Sequence, residues 1–370
     1  MIIRKLIGII LIISFSSCAK HKPVNPNPPN PADSAALTDK VLTDQLTLPW
    51  ELVWGPDNFI WMTEKRGVIS RVDPATGIAS PVFTIDDVQI SSEGGLLGMA
   101  LHPQFESTPQ VFVAYNYSNS GVYQEKIVRY NYNGTTLTDP KVLLDNLSGG
   151  NIHNGCRLAI SEDLKLFIST GETGDETLAQ DTGRLNGKIL RINLDGSIPD
   201  DNPFPSSAIW TFGHRNPQGL VFAAGKLYSS EHGPDTDDEI NIIGKGANYG
   251  WPTVRGFCDK PEESEFCANN EVAEPIKAWT PTIAPSGIDY YNAEGIPQFK
   301  NSLLVALLKG SKLLQLKLSE DGSGIVQESE FLSDKYGRLR DICISPQGSI
   351  YICTSNGTDD KIIELNGVID

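Results

Sequence analysis

Gly55-Pro-Asp-Asn-Phe-Ile-Trp-Met-Thr63 and, three residues on, Gly67-Val-Ile-Ser-Arg-Val-Asp73 form a turn, a short strand, a second turn and a second strand. Pro, Asp, Asn and Gly supply the turn conformations, and the β-branched and aromatic runs between them suit a pleated surface. The unit recurs at Val111–Tyr115 with Ile127–Asn131, and at Leu164–Thr170 with Lys188–Asn193. It recurs again at Gly225–Ser229, at Ser302–Ala306 with Lys312–Leu316, and at Gly348–Cys353 with Lys361–Leu365. Long amphipathic helical patterns are hard to find, so the chain reads as all-β. About six copies at roughly 45–75-residue spacing predict a β-propeller, in which radial repetition of small sheets protects strand edges. A sandwich would space its strands more closely and would not repeat one unit.

Outward from these repeats, the chain divides into three parts. Residues 1–18 read as an export signal: Arg4 and Lys5, an apolar run from Leu6 to Phe15, then small residues ending in Ser16-Ser17-Cys18. The pattern is similar to a bacterial lipoprotein signal, in which the cysteine becomes the lipidated first residue, with Phe15 standing where that pattern has leucine. Residues 19–39, including Pro23-Val-Asn-Pro-Asn-Pro-Pro-Asn-Pro31, have no material for a core and read as a stalk of extended polyproline type. Residues 40–370 carry the repeats. The chain is 39% hydrophobic over 370 residues, ample for a buried core, and its net charge of −16 argues against a nucleic-acid partner. Cys258 and Cys267 flank an acidic loop, and export permits them to pair. Cys156, Cys343 and Cys353 lie in apolar surroundings and read as buried thiols.

Five loops depart from the repeat. Gly149-Gly-Asn-Ile-His153-Asn-Gly-Cys-Arg157 carries a histidine, the commonest general base, although a lone histidine is more often structural. Gly213-His-Arg215-Asn216-Pro-Gln218-Gly219 offers a permanent cation with several donors. Lys309 ends an apolar strand. Arg338 and Arg340, at strand spacing, point to one side; either they form a solvated face with Asp341 as partner, or they receive a polycarboxylate or phosphate. Glu231-His-Gly233-Pro234-Asp235-Thr-Asp237-Asp238-Glu239 groups four acids in five residues, as an oxygen-ligand site for Ca²⁺ would.

Several of these stretches, in order, resemble the glucose/sorbosone dehydrogenase family of quinoproteins that use pyrroloquinoline quinone (PQQ). They are Leu48-Pro-Trp-Glu-Leu-Val-Trp-Gly-Pro-Asp-Asn58, Glu93-Gly-Gly-Leu-Leu-Gly-Met-Ala-Leu-His-Pro103, Gly213-His-Arg-Asn-Pro-Gln-Gly219 and Asn248-Tyr-Gly-Trp-Pro252. The resemblance runs from about Leu46 to the C-terminus and implies a six-bladed propeller that oxidises an aldose. It implies His153 as the base and Arg215 as the group polarising the quinone, with Asn216 a neighbouring contact. Lys309, Arg338 and Arg340 are implied as the cations for the PQQ carboxylates. Gly233 and Pro234 would bind a catalytic Ca²⁺ through carbonyls, and Glu239, Tyr249, Arg255, Phe257 and Asp259 a second, structural Ca²⁺. Electrons would pass to a soluble or membrane-bound acceptor.

Two positions depart from the glucose-oxidising pattern. Ile152 replaces an aspartate immediately before the base, and Glu93 replaces a glutamine in the Gly-Leu-Leu-Gly turn. Both belong to the sugar side of the pocket, so the expectation is PQQ binding with an open choice of sugar and a base short of its orienting carboxylate. Two other readings compete: a non-enzymatic propeller that binds a glycan or protein, and a calcium-dependent lactonase or esterase propeller. The first would lack the cofactor cations. The second would build its metal site from side-chain carboxylates.

Overall fold

The computed structural model describes residues 36–367. The export signal, Cys18 and most of the stalk lie outside them. Six four-stranded antiparallel sheets form a six-bladed β-propeller. Blade 1 is β2–β5 (Pro49–Trp54, Ile60–Glu64, Val68–Val72, Ala79–Thr84) and blade 2 is β6–β9 (Leu96–Leu101, Gln110–Asn119, Val122–Tyr132, Leu137–Ser148). Blade 3 is β10–β13 (Gly155–Ile160, Lys165–Thr170, Lys188–Asn193, Ile209–Phe212) and blade 4 is β14–β17 (Pro217–Ala223, Lys226–Glu231, Asp238–Ile242, Lys277–Trp279). Blade 5 is β18–β21 (Pro285–Tyr291, Ser302–Leu307, Leu313–Leu318, Ile325–Phe331). Blade 6 joins β22–β24 (Leu339–Ile344, Ile350–Thr354, Asp360–Gly367) to β1 (Leu37–Leu46) from the other end of the chain. β1 pairs with β24 from Leu37↔Gly367 to Leu46↔Asp360, so the ring is closed by backbone hydrogen bonds. The strand starts at Leu37, so the last three residues of the tract read as stalk, 37–39, belong to the propeller. There Asp39 is tied to Lys335 at 2.7 Å.

The first strands of neighbouring blades lie side by side in a closed ring around the axis. Six apolar clusters fill the six gaps between blades, for example Trp61, Ile69, Val111 and Val113 between blades 1 and 2. Cys343, Cys353 and Cys156 are buried free thiols within such gaps, as their surroundings predict. Cys258 and Cys267 are disulfide-bonded. The loop they were read as flanking contains an α-helix, α1 (Pro261–Asn270), which includes Cys267. Pro261 at its first turn needs no amide partner, and Glu262 and Glu263 complement the helix N-terminus.

Each first strand carries a register break near its start: Pro49/Glu51, Leu96/Met99, Gly155/Leu158, Pro217/Gly219, Pro285/Ile288 and Leu339/Asp341. A bulge re-aims the side chains at the break. Trp50, Leu97, Gln218 and Arg340 sit within these breaks and all line a central cavity of about 700 Å³. Gly98, in the Gly-Leu-Leu-Gly turn, is required by the same packing, since a Cβ there would stand 2.0 Å from the Cys156 carbonyl oxygen of the next blade.

Candidate active site

The cavity is lined by the segments entering first strands and the loops leaving second strands. Lys309, Arg338 and Arg340 all reach its wall, and the structure adds a fourth cation, Lys65, from the end of blade 1's second strand. Arg338 precedes β22 and is exposed, while Arg340 lies inside the bulge and donates to Gln218 Oε1 (3.1 Å) and Ser286 Oγ (3.2 Å). Burial, with Arg340 repelling, pushes the Lys65 ammonium down to about 8. Burial likewise lowers Arg340 to about 10, with Arg157 and Arg338 adding repulsion. This is a pocket of crowded positive charge in an acidic protein. Asp341 does not neutralise it, so the solvated-face reading fails: its carboxylate lies 2.9 Å from Arg157 in a separate buried cluster.

That cluster joins the blades across the axis beside the cavity. Arg157 Nη1 contacts Glu51 Oε1 at 2.5 Å and Asp341 Oδ1 at 2.9 Å, and Nε donates to the Gln218 carbonyl at 2.8 Å. Its guanidinium lies 4.2 Å from the ring centroid of Trp50, which also lines the cavity. Burial pushes the Glu51 carboxyl well above its usual range, with Asp341's charge adding to the shift and Arg157 opposing it.

His153 stands at φ 54° in the glycine-rich loop before β10. Its Nδ1 lies 2.8 Å from both oxygens of Glu172, and its backbone N–H donates to Glu93 Oε2 at 2.8 Å. A carboxylate only accepts, which puts the proton on Nδ1 and leaves Nε2 with a lone pair. The orienting carboxylate expected to be missing is therefore present. It comes from the loop after β11, 19 residues downstream of His153, and not from position 152. Ile152 is 40% exposed, whereas Glu93 lines the cavity and anchors the histidine loop. The two loops approach so closely that a Cβ on Gly171 would stand 1.9 Å from the His153 carbonyl oxygen.

Arg215 is held by its neighbours: Nη1 donates to the His232 carbonyl (3.1 Å), and its backbone N–H donates to Glu231. Glu172's backbone N–H donates to the Arg215 carbonyl at 2.9 Å, which couples the two loops. Asn216 is buried, its Oδ1 accepting from Gly155 N–H and Gln218 Nε2, so its contacts are to the protein framework. Asn154 Nδ2, His232 Nε2 and Arg340 Nε are buried atoms without hydrogen-bond partners, and all three residues line the large cavity. Unpartnered polar atoms beside four cations fit a flat, polyanionic, hydrogen-bonding cofactor such as PQQ.

Behind Asn154 lies Glu125, fully buried on β8. Asn116 Nδ2 sits 3.4 Å from Glu125 Oε1 and 3.2 Å from Asn154 Oδ1. Burial raises the Glu125 carboxyl to about 8, so it is a neutral acid at pH 7. A carboxyl raised above its unfolded value of about 4.3 contributes stability that is complete below that value and is lost as pH rises through about 8. Glu125→Gln removes this term, so its melting temperature should gain on wild type steadily between pH 5 and 9. A difference that stays constant across a calorimetric pH series would refute this.

A smaller cavity of about 20 Å³, room for one ion or water, is lined by Gly233, Pro234, Glu239, Tyr249 and Arg255 together with Arg215 and Glu231. Burial lifts Glu239 to about 8, with the charge of Glu231 adding to the shift, a strain that a cation would relieve. Both residues of the first expected metal set and three of the second therefore line one cavity. Phe257 and Asp259 are exposed and absent from its lining. The Tyr249 hydroxyl donates to the Ile242 carbonyl (2.5 Å), and the Arg255 carbonyl accepts from Lys260 Nζ (3.2 Å). The acidic run is not a carboxylate cage. Asp238 accepts from the backbone of Gly233, Ile283 and Ala284, and no three His, Cys, Asp or Glu side chains converge as ligands among the described residues.

Fold and site together define a propeller with a cationic central cavity and a carboxylate-oriented histidine next to Asn154, which lines that cavity. Residues 46–364 match the family model for glucose/sorbosone dehydrogenases, and the chain belongs to that family. It is 32% identical to quinoprotein glucose dehydrogenase B of Acinetobacter calcoaceticus, with 94% of this chain and 91% of that one covered. It is also 32% identical to aldose sugar dehydrogenase YliI of Escherichia coli, with 90% and 93% covered. The structure of the PQQ-bound aldose sugar dehydrogenase of Streptomyces coelicolor superposes with a TM-score of 0.77 at 35% identity, covering 90% of this chain and 99% of that one.

Proposed function

We propose that the chain is a PQQ- and calcium-dependent dehydrogenase that oxidises the anomeric hydroxyl of an aldose to a lactone. The observation that carries the reading is the cavity of about 700 Å³ walled by Lys65, Lys309, Arg338 and Arg340 in a chain of net charge −16. PQQ bound there would supply the hydride acceptor. His153 Nε2 takes the hydroxyl proton while the anomeric C–H bond breaks and the carbonyl forms, and Glu172 stabilises the imidazolium that results. Arg215 places positive charge on the wall of the small cavity, next to His232, which lines both cavities. Gly233, Pro234 and Glu239 would hold Ca²⁺, whose charge acts in the same sense. Lys65, Lys309, Arg338 and Arg340 on the large cavity's wall would hold the PQQ carboxylates. The export signal and Cys18 belong to the proposal as a lipid anchor, with a soluble or membrane-bound acceptor taking the electrons.

Reconstitution of the purified protein with PQQ and Ca²⁺ tests this. A bound-quinone absorption should appear and bleach on addition of one member of an aldose panel. Absence of PQQ uptake at micromolar cofactor would leave a glycan- or protein-binding propeller in its place. Chelation should abolish turnover and Ca²⁺ restore it; full turnover in chelator sinks the calcium part alone.

A further inference from the structure

We propose that Lys188, a lysine with none of its surface exposed, is a positioning residue that sets His153 and Arg215 against each other. The inference rests on the functional reading above. Lys188 opens β12, opposite Thr170, and its Nζ donates to the carbonyls of Leu178 (2.8 Å), Ala179 (3.0 Å) and Asn186 (2.7 Å). Burial pushes the Lys188 ammonium down to about 7, with the charge of Asp181 opposing; in its charged form it has three donors, and here each has a backbone acceptor. A buried charge is tolerated only when it is satisfied in this way.

All three acceptors belong to one loop, 171–187, which delivers Glu172. That loop is a clamp between the two reacting segments. Thr173 N–H donates to the His153 carbonyl (3.1 Å) and Gly171 N–H to the Asn154 carbonyl (3.2 Å). On the other side, Gly213 N–H donates to the Ala179 carbonyl (2.9 Å), His214 N–H to the Gly187 carbonyl (3.1 Å) and Glu172 N–H to the Arg215 carbonyl (2.9 Å). The Ala179 oxygen thus accepts from Lys188 and from the first residue of the Arg215 loop at once. Removing the ammonium frees the middle of the clamp while the apolar core below it, including Leu190 and Ile192, stays intact.

Lys188→Met keeps the stem and deletes the donors. In the PQQ-loaded full chain it should lower kcat about tenfold with KM within about twofold, the signature of lost transition-state alignment. In the protein without cofactor, the His153 Nδ1 proton held by Glu172, identified by its loss in His153→Ala, should give a downfield NMR resonance in wild type that is lost in Lys188→Met as the Glu172 carboxylate drifts from Nδ1. Leu190→Ala, a cavity in the same strand, is the control and should destabilise while keeping the resonance. A resonance unchanged in Lys188→Met, or equally lost in Leu190→Ala, overturns the proposal. The resonance needs no substrate, so it decides the point even where the PQQ reading itself fails. Lys188→Gln, with fewer donors on a shorter stem, is read in the same way if Lys188→Met does not fold.

Discussion

His153→Ala is expected to bind PQQ as wild type does and to turn over about 10²–10⁴-fold more slowly, the usual worth of a positioned general base. Lys65, Lys309, Arg338 and Arg340 stand on the cavity wall, and among the described residues none of them hydrogen-bonds the imidazole, so affinity and rate should separate. Glu172→Gln sharpens the test. The carboxylate can only accept from Nδ1, whereas an amide can donate to it, which would move the imidazole proton to Nε2 and block proton abstraction. Glu172→Gln should therefore lose more turnover than an isosteric change at a merely packed residue. Stopped-flow bleaching of the quinone with a reactive aldose reads both variants. A PQQ-loaded His153→Ala that keeps more than a tenth of wild-type turnover removes His153 from the mechanism.

Arg157→Met is expected to cost about 3–5 kcal/mol, because it strands Glu51 and Asp341 in the interior without their cation. For a domain of this size the fall in melting temperature should be on the order of 10 °C. All three side chains are nearly inaccessible, at 2%, 6% and 2% for Arg157, Glu51 and Asp341. They draw together blades 3, 1 and 6, and Arg157 reaches blade 4 through the Gln218 carbonyl. Adding Glu51→Gln and Asp341→Asn to Arg157→Met should recover much of the loss, since the penalty lies in the unpaired charges. Calorimetry that finds Arg157→Met melting with wild type would show that the cluster contributes nothing net.

The repeats legible in the sequence are the second and third strands of the blades: every quoted copy maps onto β3 and β4, β7 and β8, β11 and β12, β15, β19 and β20, or β23 and β24. These strands are paired on both sides and packed between blades, so they need apolar, β-branched residues throughout. The first strands broke the pattern because their bulges turn Trp50, Gln218 and Arg340 into the cavity. Outer strands such as Ile325–Phe331 alternate half-buried and exposed residues and resemble ordinary surface segments. Lys309, Arg338 and Arg340 were visible because cations at the ends of apolar strands are out of place in an acidic chain. Glu172 had a signal too: Gly171-Glu-Thr-Gly174 leaves a second strand, the position from which Lys65 and Lys309 also reach the cavity. Phe257 and Asp259 were carried by resemblance alone and stay outside the small cavity's lining.

By itself the sequence determined the all-β repeat, the buried thiols and three of the cavity's cations, Lys309, Arg338 and Arg340. Those properties are local: strand periodicity, turn residues and charge out of keeping with the surrounding chain. Which carboxylate orients His153, that Asp341 pairs with Arg157 and not with its neighbours Arg338 and Arg340, and that Glu239, Tyr249 and Arg255 line the same cavity as Gly233 and Pro234 were decided only by the tertiary structure. Each depends on segments brought together by ring closure and on bulges that break strand register. Alternation along a single strand does not encode such contacts, because the partner lies on another blade.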